Sequence, residues 1–450
     1  MEKLKMHSRD NVARNVEAVG RLFPNALTEV LRDGKVVQAI DFDVLRQELA
    51  REIVEGREER YAFTWPDKRQ AILAANAPIA MALRPVVEDS VGRDGTAGAF
   101  DSENLYIEGD NLDVLKLLQE TYLGKVKMIY IDPPYNTGND AFVYDDDFAM
   151  AGGDFHATNG WRDEDGAMQY DLRANNVSNG RFHTDWLNMI YPRLKVAKTL
   201  LADDGVIFIS VDYNENFNMR KVADEILGVQ SFIGEIYWES KTKSQNTKTA
   251  YNKLQPKAEM ILVYAKDRQR RFHLIEKGVK EYPFSDERGV YREYPVEVMN
   301  ASGVRGRESM IYEISDTVST YLKNGDLFIR DGKPIIKMRP NGERNETTEP
   351  FWGFFDKTMG TAESAKKELG ELIENHGFET VKPVEIIKRL CFHATDKDAL
   401  ILDFFSGSAT TAHAVMQLNA EDGGSRKFIM VQLPEATDEG GTAYRAGYRN

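Results

Sequence analysis

Residues 126–135 read VKMIYIDPPY, a nearly continuous apolar run that ends in a short polar motif. Such runs suit strands that helices cover on both faces of a parallel sheet. Residues 206–211, VIFISV, form a second run of this kind, after a helix predicted over 187–201 and a turn at Asp204-Gly205. Open α/β sheets bind ligands beyond the carboxyl ends of their strands, so the motif at 132–135 is predicted to lie in a ligand site.

The motif Asp132-Pro133-Pro134-Tyr135 carries the groups that would bind an exocyclic amine. Its two prolines stiffen the turn and remove two backbone donors, which leaves a carboxylate, carbonyl oxygens and an aromatic ring. Asp132 can accept one N–H of the amine, the Pro133 carbonyl can accept the other, and Tyr135 can stack on the ring. The nitrogen lone pair then stays available for attack. The alternative is a tight proline turn with a capping aspartate, and the position at a strand end favours the functional interpretation.

A second motif, DFFSGSATT at residues 403–411, follows a strand predicted over 399–402 and begins a helix predicted over 410–418. Gly407 lets the backbone approach a ligand, and the small Ser408 and Ala409 let helix and strand pack closely. Free N–H groups at such a helix start suit a carboxylate or a phosphate. The turn predicts either a site for a nucleotide-like cofactor or a tight connection only. The missing lysine after the glycine argues against a P-loop.

Strands and helices alternate on both sides of an irregular segment. Further predicted elements are a helix over 41–55, a strand over 104–107, a helix over 110–122, a helix over 383–390 and a strand over 428–432. Residues 92–98 are predicted as a linker and 140–185 as a long polar loop. One sheet is therefore expected from both ends of the chain. The expected regions are a helical N-terminal part (1–100), two parts that share the sheet (101–267 and 361–450) and an insert (268–360).

Composition and charge exclude several classes of protein. Of the 450 residues 42% are hydrophobic, so the chain can bury a sizeable core and is not wholly disordered. The net charge of −14 excludes a generally basic nucleic-acid coat, although a local basic patch stays possible. Cys391 is the single cysteine, which excludes a disulfide framework and a cysteine-based zinc site; no metal site is predicted. No apolar segment reaches the roughly 20 residues of a membrane helix, so a soluble, cytoplasmic protein is expected.

Together the two motifs resemble the β-ordered amino-group DNA methyltransferases, which use S-adenosylmethionine. The chain is most similar to the modification (Mod) subunit of type III restriction-modification systems. The resemblance is carried by residues 61–65, 104–118 (NLYIEGDNLDVLKLL), 128–142 (MIYIDPPYNTGNDAF), 186–216, 382–390 and 392–433. It implies an α/β, Rossmann-like methyltransferase sheet, with a catalytic part (101–267), a target-recognition insert (268–360) and a cofactor-binding part (361–450) that is apparently truncated at its C-terminus.

The resemblance also implies roles for individual residues. Asp132, Pro133, Pro134 and Tyr135 match the catalytic motif, and an aspartate at its head favours adenine N6 over cytosine N4. The implied cofactor-binding residues are Asp110, Lys382, Pro383, Asp403, Phe405, Ser406, Gly407, Ser408 and Thr410. Ala409 stands where glycine is commoner in the family.

Some of these positions have more than one interpretation. Asp110 could equally be a helix N-cap, and Lys382-Pro383 could equally begin a helix. Where an acidic residue usually holds the cofactor ribose, this chain has Gln432, with Glu435 slightly later, and that assignment stays open.

The implied reaction is direct in-line attack by the amino nitrogen, without a covalent enzyme intermediate, on a base flipped out of the duplex. A basic stretch without acidic residues is a candidate phosphate-binding loop or a solvated loop, through Lys241, Lys243, Lys248, Lys253 and Lys257. Candidates for groove contacts within the insert are Arg305, Arg307, Arg339 and Arg344. The acidic loop 140–170 is hypothesised to repel DNA until DNA orders it.

The expected partners are double-stranded DNA, a second copy of the chain and a restriction (Res) subunit. Two other functions stay open, a cytosine-N4 methyltransferase and a truncated, non-catalytic DNA-binding protein. The latter is motivated by the end of the chain, which comes soon after the last predicted strand.

Overall fold

The computed structural model describes residues 11–32, 35–49, 63–77, 79, 81–138, 141–143, 161–162, 168–169, 172–175, 178, 180–242, 254–276, 280–295, 316–340, 348–434, 437 and 439–446. The basic stretch at 243–253, most of the loop 140–185 and Glu435 therefore lie outside the described residues, as do Arg305, Arg307 and Arg344.

The described helices run through the whole chain. They are α1 (Asn11–Leu22), α2 (Phe42–Leu49), α3 (Lys68–Asn76), α4 (Asn111–Tyr122), α5 (Phe182–Leu200), α6 (Asn216–Leu227), α7 (Asp316–Lys323), α8 (Ala362–Leu372), α9 (Val384–Ala394), α10 (Thr410–Asp422) and α11 (Thr442–Arg445). Short 3₁₀ helices cover Pro24–Ala26, Val87–Asp89, Val229–Ser231 and Lys357–Met359. None of the helices among the described residues is both long enough and apolar enough to cross a membrane.

The described strands are β1 (Leu27–Arg32), β2 (Lys35–Ile40), β3 (Leu105–Glu108), β4 (Val126–Ile131), β5 (Ala141–Val143), β6 (Trp161–Arg162), β7 (Met168–Gln169), β8 (Leu172–Ala174), β9 (Leu201–Val211), β10 (Phe232–Trp238), β11 (Glu259–Ala265), β12 (Ile275–Glu276), β13 (Phe284–Asp286), β14 (Gly289–Pro295), β15 (Leu327–Arg330), β16 (Lys333–Met338), β17 (Thr348–Glu349), β18 (Phe354–Phe355), β19 (Leu400–Asp403) and β20 (Lys427–Gln432).

One eight-stranded sheet has the order β18-β10-β11-β9-β4-β19-β20-β3. The strands from β9 to β3 in this order pair in parallel, whereas β11 pairs antiparallel with both β9 and β10. The late strands β19 and β20 lie between the early strands β4 and β3. The prediction of one α/β sheet built from both ends of the chain is therefore confirmed.

The apolar run at 126–131 forms β4 in the middle of this sheet, as predicted. Ile129 and Ile131 belong to a core that includes α4, α5 and α6 residues such as Leu115 and Trp186. Met128 is also fully buried. Full burial of such a side chain stabilises the fold by about 1.5–3 kcal/mol, which explains why a strand covered on both faces has a nearly continuous apolar sequence.

Some predicted boundaries differ from the structure. The N-terminal region contains the antiparallel hairpin of β1 and β2 besides its helices. Asp204 and Gly205 lie inside β9 rather than in a turn, because β9 begins directly at the end of α5 and the pairing of β4 with β9 shifts register between Val126 and Met128. The helix predicted over 41–55 is described only as α2, since residues 50–62 lie outside the described part.

The chain divides into two compact units, one formed by residues 1–273 and 352–450 and the other by Leu274–Phe351. The smaller unit holds an antiparallel sheet of order β13-β14-β16-β15. Ion pairs within this unit join Arg339 to Asp286 at 2.7 Å and to Asp326 at 2.9 Å. The Arg339 guanidinium therefore has carboxylate partners within its own unit, and its groove contact stays a prediction.

Candidate active site

Two adjacent parallel strands bring the two sequence motifs together. β4 precedes Asp132, β19 leads into the turn at Phe405, and the two strands pair through Met128 with Ile401 and Ile129 with Leu402. Because parallel neighbours end at the same edge of a sheet, both motifs lie at one edge although they are far apart in sequence.

The backbone of the first motif is held from helix α5 and from a buried polar cluster. The Trp186 indole Nε1 donates to the Pro134 carbonyl at 2.7 Å. Asn136, which follows the motif with a positive φ of 57°, donates through Nδ2 to Glu215 Oε1 at 2.6 Å. Asn175 Nδ2 in turn donates to Asn136 Oδ1 at 2.8 Å. The turn is therefore fixed by side chains that are remote in sequence.

The side chain of Lys382 lies among the catalytic candidates. Its Nζ is 3.0 Å from Asp132 Oδ2, 2.8 Å from the Tyr135 hydroxyl and 3.1 Å from Glu259 Oε2. The Tyr135 hydroxyl donates to the same Glu259 oxygen at 3.0 Å. These four side chains form the Lys382 cluster.

Burial and charge together set the ionisation of the Lys382 cluster. Burial alone would lower the pKa of Lys382, but the carboxylates of Asp132 and Glu259 outweigh it and hold that pKa above its usual range. Burial would raise the pKa of Glu259, yet the Lys382 ammonium holds it below its usual range. Burial and both carboxylates raise the pKa of Tyr135, so its hydroxyl stays protonated.

Two further observations describe the acidic side of this edge. Within the described residues Asp132 Oδ1 is buried and has no hydrogen-bond partner, so it is an acceptor without a donor. Asp212, which follows β9, has its pKa raised to about 6 by burial. This edge of the sheet is therefore acidic, and Asp132 Oδ1 is an acceptor suited to a ligand that donates an N–H group.

The second motif forms a tight turn whose atoms are tied to the neighbouring strand β20. Ser406 N–H donates to the Val431 carbonyl at 3.1 Å, and Gly407 N–H donates to Gln432 Oε1 at 2.8 Å. Gly407 has φ 49°, and a Cβ placed there would meet no atom within 4 Å. The backbone at this glycine therefore faces open space, as a turn that receives a ligand requires. Gln432 serves to hold the turn.

The polar side chains of this turn mostly bond within the protein. Buried Asp403 accepts from the Thr411 hydroxyl at 2.6 Å and from the Phe405 N–H at 3.0 Å. Burial raises the pKa of Asp403 to about 7. The hydroxyls of Ser408 and Thr410 lie 3.0 Å apart. Asp403 thus stabilises the turn from inside.

Asp110 caps helix α4, as one of its two interpretations predicts. Its Oδ1 accepts from the Leu112 N–H at 2.8 Å, and its Oδ2 pairs with Arg193 at 2.7 Å. The neighbouring Asn111 donates from Nδ2 to the Phe404 carbonyl at 2.9 Å. The start of α4 and the second motif are thereby joined, and Asp110 lies beside the turn. Pro383 is the N-cap of α9, so the helix-start interpretation of Lys382-Pro383 is also confirmed.

Of the basic stretch, the structure describes its two ends. The Lys241 N–H donates to the Lys257 carbonyl at 3.3 Å, and Lys257 Nζ pairs with Glu239 at 2.5 Å. The two ends therefore lie side by side, next to β10 and β11. Lys243, Lys248 and Lys253 lie outside the described residues.

The sequence interpretation missed Glu259, Arg193 and Trp186. Glu259 is the first residue of β11, and because β11 runs antiparallel to β9, this residue lies at the edge where β9 ends. A carboxylate directly before an apolar strand was a weak signal, since such residues are usually exposed. Among the described residues, no group of three or more His, Cys, Asp or Glu side chains is placed to hold a metal ion.

Comparison with known proteins gives consistent relatives. The N6_N4_Mtase family, described as DNA methylase, matches residues 126–436. The StyLTI Mod subunit of a type III restriction-modification enzyme from Salmonella typhimurium is 36% identical over 81% of this chain and 57% of that protein. The EcoPI Mod subunit from Escherichia phage P1 is 33% identical over 88% of this chain and 67% of that protein.

The chain thus spans between 57% and 67% of the length of these two relatives. Among solved structures, the M1.HpyAVI–SAM complex shares 14% identity over 73% of this chain and 92% of that one, with a TM-score of 0.35. A TM-score of 0.35 at 14% identity does not contribute to the assignment of the family.

Proposed function

Because the chain belongs to the N6_N4 DNA methylase family, with type III modification subunits among its relatives, we propose that it methylates adenine N6 in double-stranded DNA with S-adenosylmethionine as methyl donor. The observation that carries the proposal is the juxtaposition of Asp132 and Gly407 at the ends of paired strands. One motif supplies acceptors for an amino group, and the other leaves open backbone beside it.

The residues present fit the methyl donor. S-adenosylmethionine would supply an electrophilic methyl group, and the turn from Phe405 to Ser408, with Asp110 beside it, would hold it. Gly407 offers backbone without a side chain in the way, and Asp403 holds the turn rigid from inside. Asp403 and Ser406 are therefore proposed to act by shaping the turn.

The first motif would position the base and its amino group. Asp132 Oδ1 would accept one N–H of the adenine, the Pro133 carbonyl would accept the other, and the Tyr135 ring would stack on the flipped base. These acceptors stabilise the positive charge that develops on the nitrogen during attack. The nitrogen then loses a proton to solvent. No side chain of the protein is alkylated, so positioning accounts for most of the catalysis.

Relatives and charge also suggest partners. The Mod relatives are named as subunits of restriction-modification enzymes, and we propose that this chain works in the cytoplasm as a homodimer with a restriction subunit. Residues 268–360 are proposed as the target-recognition insert, residues 101–267 as the catalytic part of the methyltransferase domain and residues 361–450 as its cofactor-binding part. The lysines at 241–257 are proposed to contact phosphates.

The test is modification-sensitive long-read sequencing of DNA from a methylation-free host that expresses this chain. N6-methyladenine at one sequence motif, absent with an Asp132→Ala variant, is the expected result. N4-methylcytosine at one motif would overturn the choice of base. No modification would count against the proposed methylation by this 450-residue chain.

A further inference from the structure

The ammonium group of Lys382 has all its donors engaged on the side of the target base. A lysine has three N–H donors, and Nζ lies within 3.1 Å of three acceptors, one each on Asp132, Tyr135 and Glu259. Its side chain is only 14% exposed. These three contacts use the three N–H donors of the ammonium group, whereas the family resemblance places Lys382 among the cofactor-binding residues.

We propose that Lys382 and Glu259 are positioning residues for the target base, and that Lys382 does not bind the methyl donor. The inference rests on the proposed function and names two further residues for its site. Glu259 belongs to neither sequence motif. Lys382 is assigned to the target base instead of the methyl donor.

The geometry explains how the pair would act on Asp132. Lys382 holds Asp132 Oδ2, so the carboxylate cannot rotate freely and Oδ1 is the oxygen that stays without a donor. An amino group that reaches Asp132 would therefore meet one oriented acceptor. Without Lys382, the carboxylates of Asp132 and Glu259 would lose the cation that both of them contact.

The pair also fixes Tyr135. Its hydroxyl donates to Glu259 and accepts from Lys382, so the phenol is held at its far end by two polar contacts. The Lys382 Nζ also lies 4.8 Å from the centroid of the tyrosine ring. A ring held in this way is a preformed surface on which a base can stack. Displacement of a positioned group by about 1 Å can cost on the order of 100-fold in rate.

Lys382→Met tests the assignment against the family expectation. We expect the single-turnover rate of methyl transfer at saturating S-adenosylmethionine to fall about 100-fold. The dissociation constant for S-adenosylmethionine, measured by calorimetry without DNA, should change less than about threefold, which corresponds to under about 0.7 kcal/mol. A duplex with 2-aminopurine at the target adenine should show an altered fluorescence signal, because the stacking surface has moved. Lys366→Met, an exposed site on α8, should match the unmodified chain in all three measurements.

Two milder variants keep the inference testable if Lys382→Met does not fold, which circular dichroism would show. Tyr135→Phe removes only the hydroxyl contacts, and Glu259→Gln removes only the charge. Each should lower the transfer rate about tenfold, or about 1.4 kcal/mol, without weakening S-adenosylmethionine binding.

The outcomes distinguish the positioning role of Lys382 and Glu259 from the proposed function. Weaker S-adenosylmethionine binding by Lys382→Met, with an unchanged rate at saturation, would overturn the positioning role. Unchanged rates in all three variants would overturn it as well. An inactive unmodified chain would count against the proposed function, while the calorimetric comparison, which needs no DNA, would still judge the assignment of Lys382.

Discussion

The Nδ2 of Asn136 lies 2.6 Å from the Oε1 of Glu215, and neither side chain reaches solvent. The same carboxylate accepts from His183 Nδ1 at 2.6 Å and from Asn218 Nδ2 at 2.7 Å. Asn136 directly follows Tyr135, so the carboxylate is joined to the catalytic turn through one hydrogen bond.

Replacement of Glu215 by Ala should remove the carboxylate that these donors share and leave the buried Asn136 Nδ2 with only the Phe182 carbonyl, at 3.2 Å. Unsatisfied buried groups cost about 1–3 kcal/mol each, so we expect a loss of about 3 kcal/mol in the free energy of unfolding. The measurement is a denaturant titration, with Glu215→Gln as the matched variant, since its amide oxygen can still accept from Asn136. Equal stability of Glu215→Ala and the unmodified chain would contradict the role of this cluster.

Arg193→Met should weaken the binding of S-adenosylmethionine. Arg193 pairs with Asp110 at 2.7 Å and also donates to Asn111, so it fixes the start of α4 beside the turn after β19. Loss of a hydrogen bond to a charged group costs about 1.5–3 kcal/mol, and we expect the dissociation constant to rise at least tenfold. Arg389→Met is the control, because its contact with Glu385 is a 3.8 Å surface pair. A similar affinity in both variants would show that Arg193 does not act on the cofactor turn.

The stability of the protein should fall as pH rises from about 4 to about 7. Burial raises the pKa of Asp403 from 3.8 to about 7, so the folded chain binds a proton that the unfolded chain has already lost. This contribution is complete below the unfolded pKa and is lost as pH passes through the folded pKa. Thermal midpoints of Asp403→Asn should therefore depend less on pH between 5 and 8 than those of the unmodified chain. The Asp403→Asn variant should keep a smaller pH dependence of its thermal midpoint, because burial also raises the pKa of Asp212, to about 6. Parallel curves would contradict the prediction.

Ala409→Gly should stabilise the protein. Ala409 has φ 58° and ψ 30°, a left-handed conformation that costs an L-residue about 1 kcal/mol or more and that glycine adopts freely. We expect the denaturation midpoint to rise. Ala420→Gly is the same replacement at an exposed, right-handed position within α10. It should lower the free energy of unfolding by about 1 kcal/mol, and the midpoint with it. A decrease in both variants would refute the strain at Ala409.

Replacing Lys241 and Lys257 by Gln should weaken DNA binding to a similar extent for all sequences. The slope of log affinity against log salt should decrease by up to about 0.9 for each phosphate contact that is lost. Fluorescence anisotropy with target and unrelated duplexes measures this slope between about 50 and 200 mM salt, where affinity from phosphate contacts depends strongly on salt. Lys366→Gln with Lys367→Gln on α8 is the control. An unchanged slope would assign the stretch to a solvated loop.

Local sequence patterns were sufficient for the central strands and both motif turns. β4 could be predicted because burial on both faces favours a nearly continuous apolar run. The turn at Gly407 could be predicted because a glycine followed by small residues, between a predicted strand and a predicted helix, is typical of a strand-to-helix turn. The hairpin of β1 and β2 and the continuation of β9 through Gly205 escaped prediction, since both depend on pairing between strands rather than on a local pattern.

The amino-acid sequence by itself determined which groups can do the chemistry: a carboxylate, two prolines and a tyrosine after one strand, and a glycine turn after another. Only the tertiary structure decided which partners these groups have. The antiparallel entry of β11 brings Glu259 to the edge where the parallel strands end, and Lys382 reaches Tyr135 across 247 positions of sequence. Such contacts depend on strand order and direction, which a local pattern of residues does not contain.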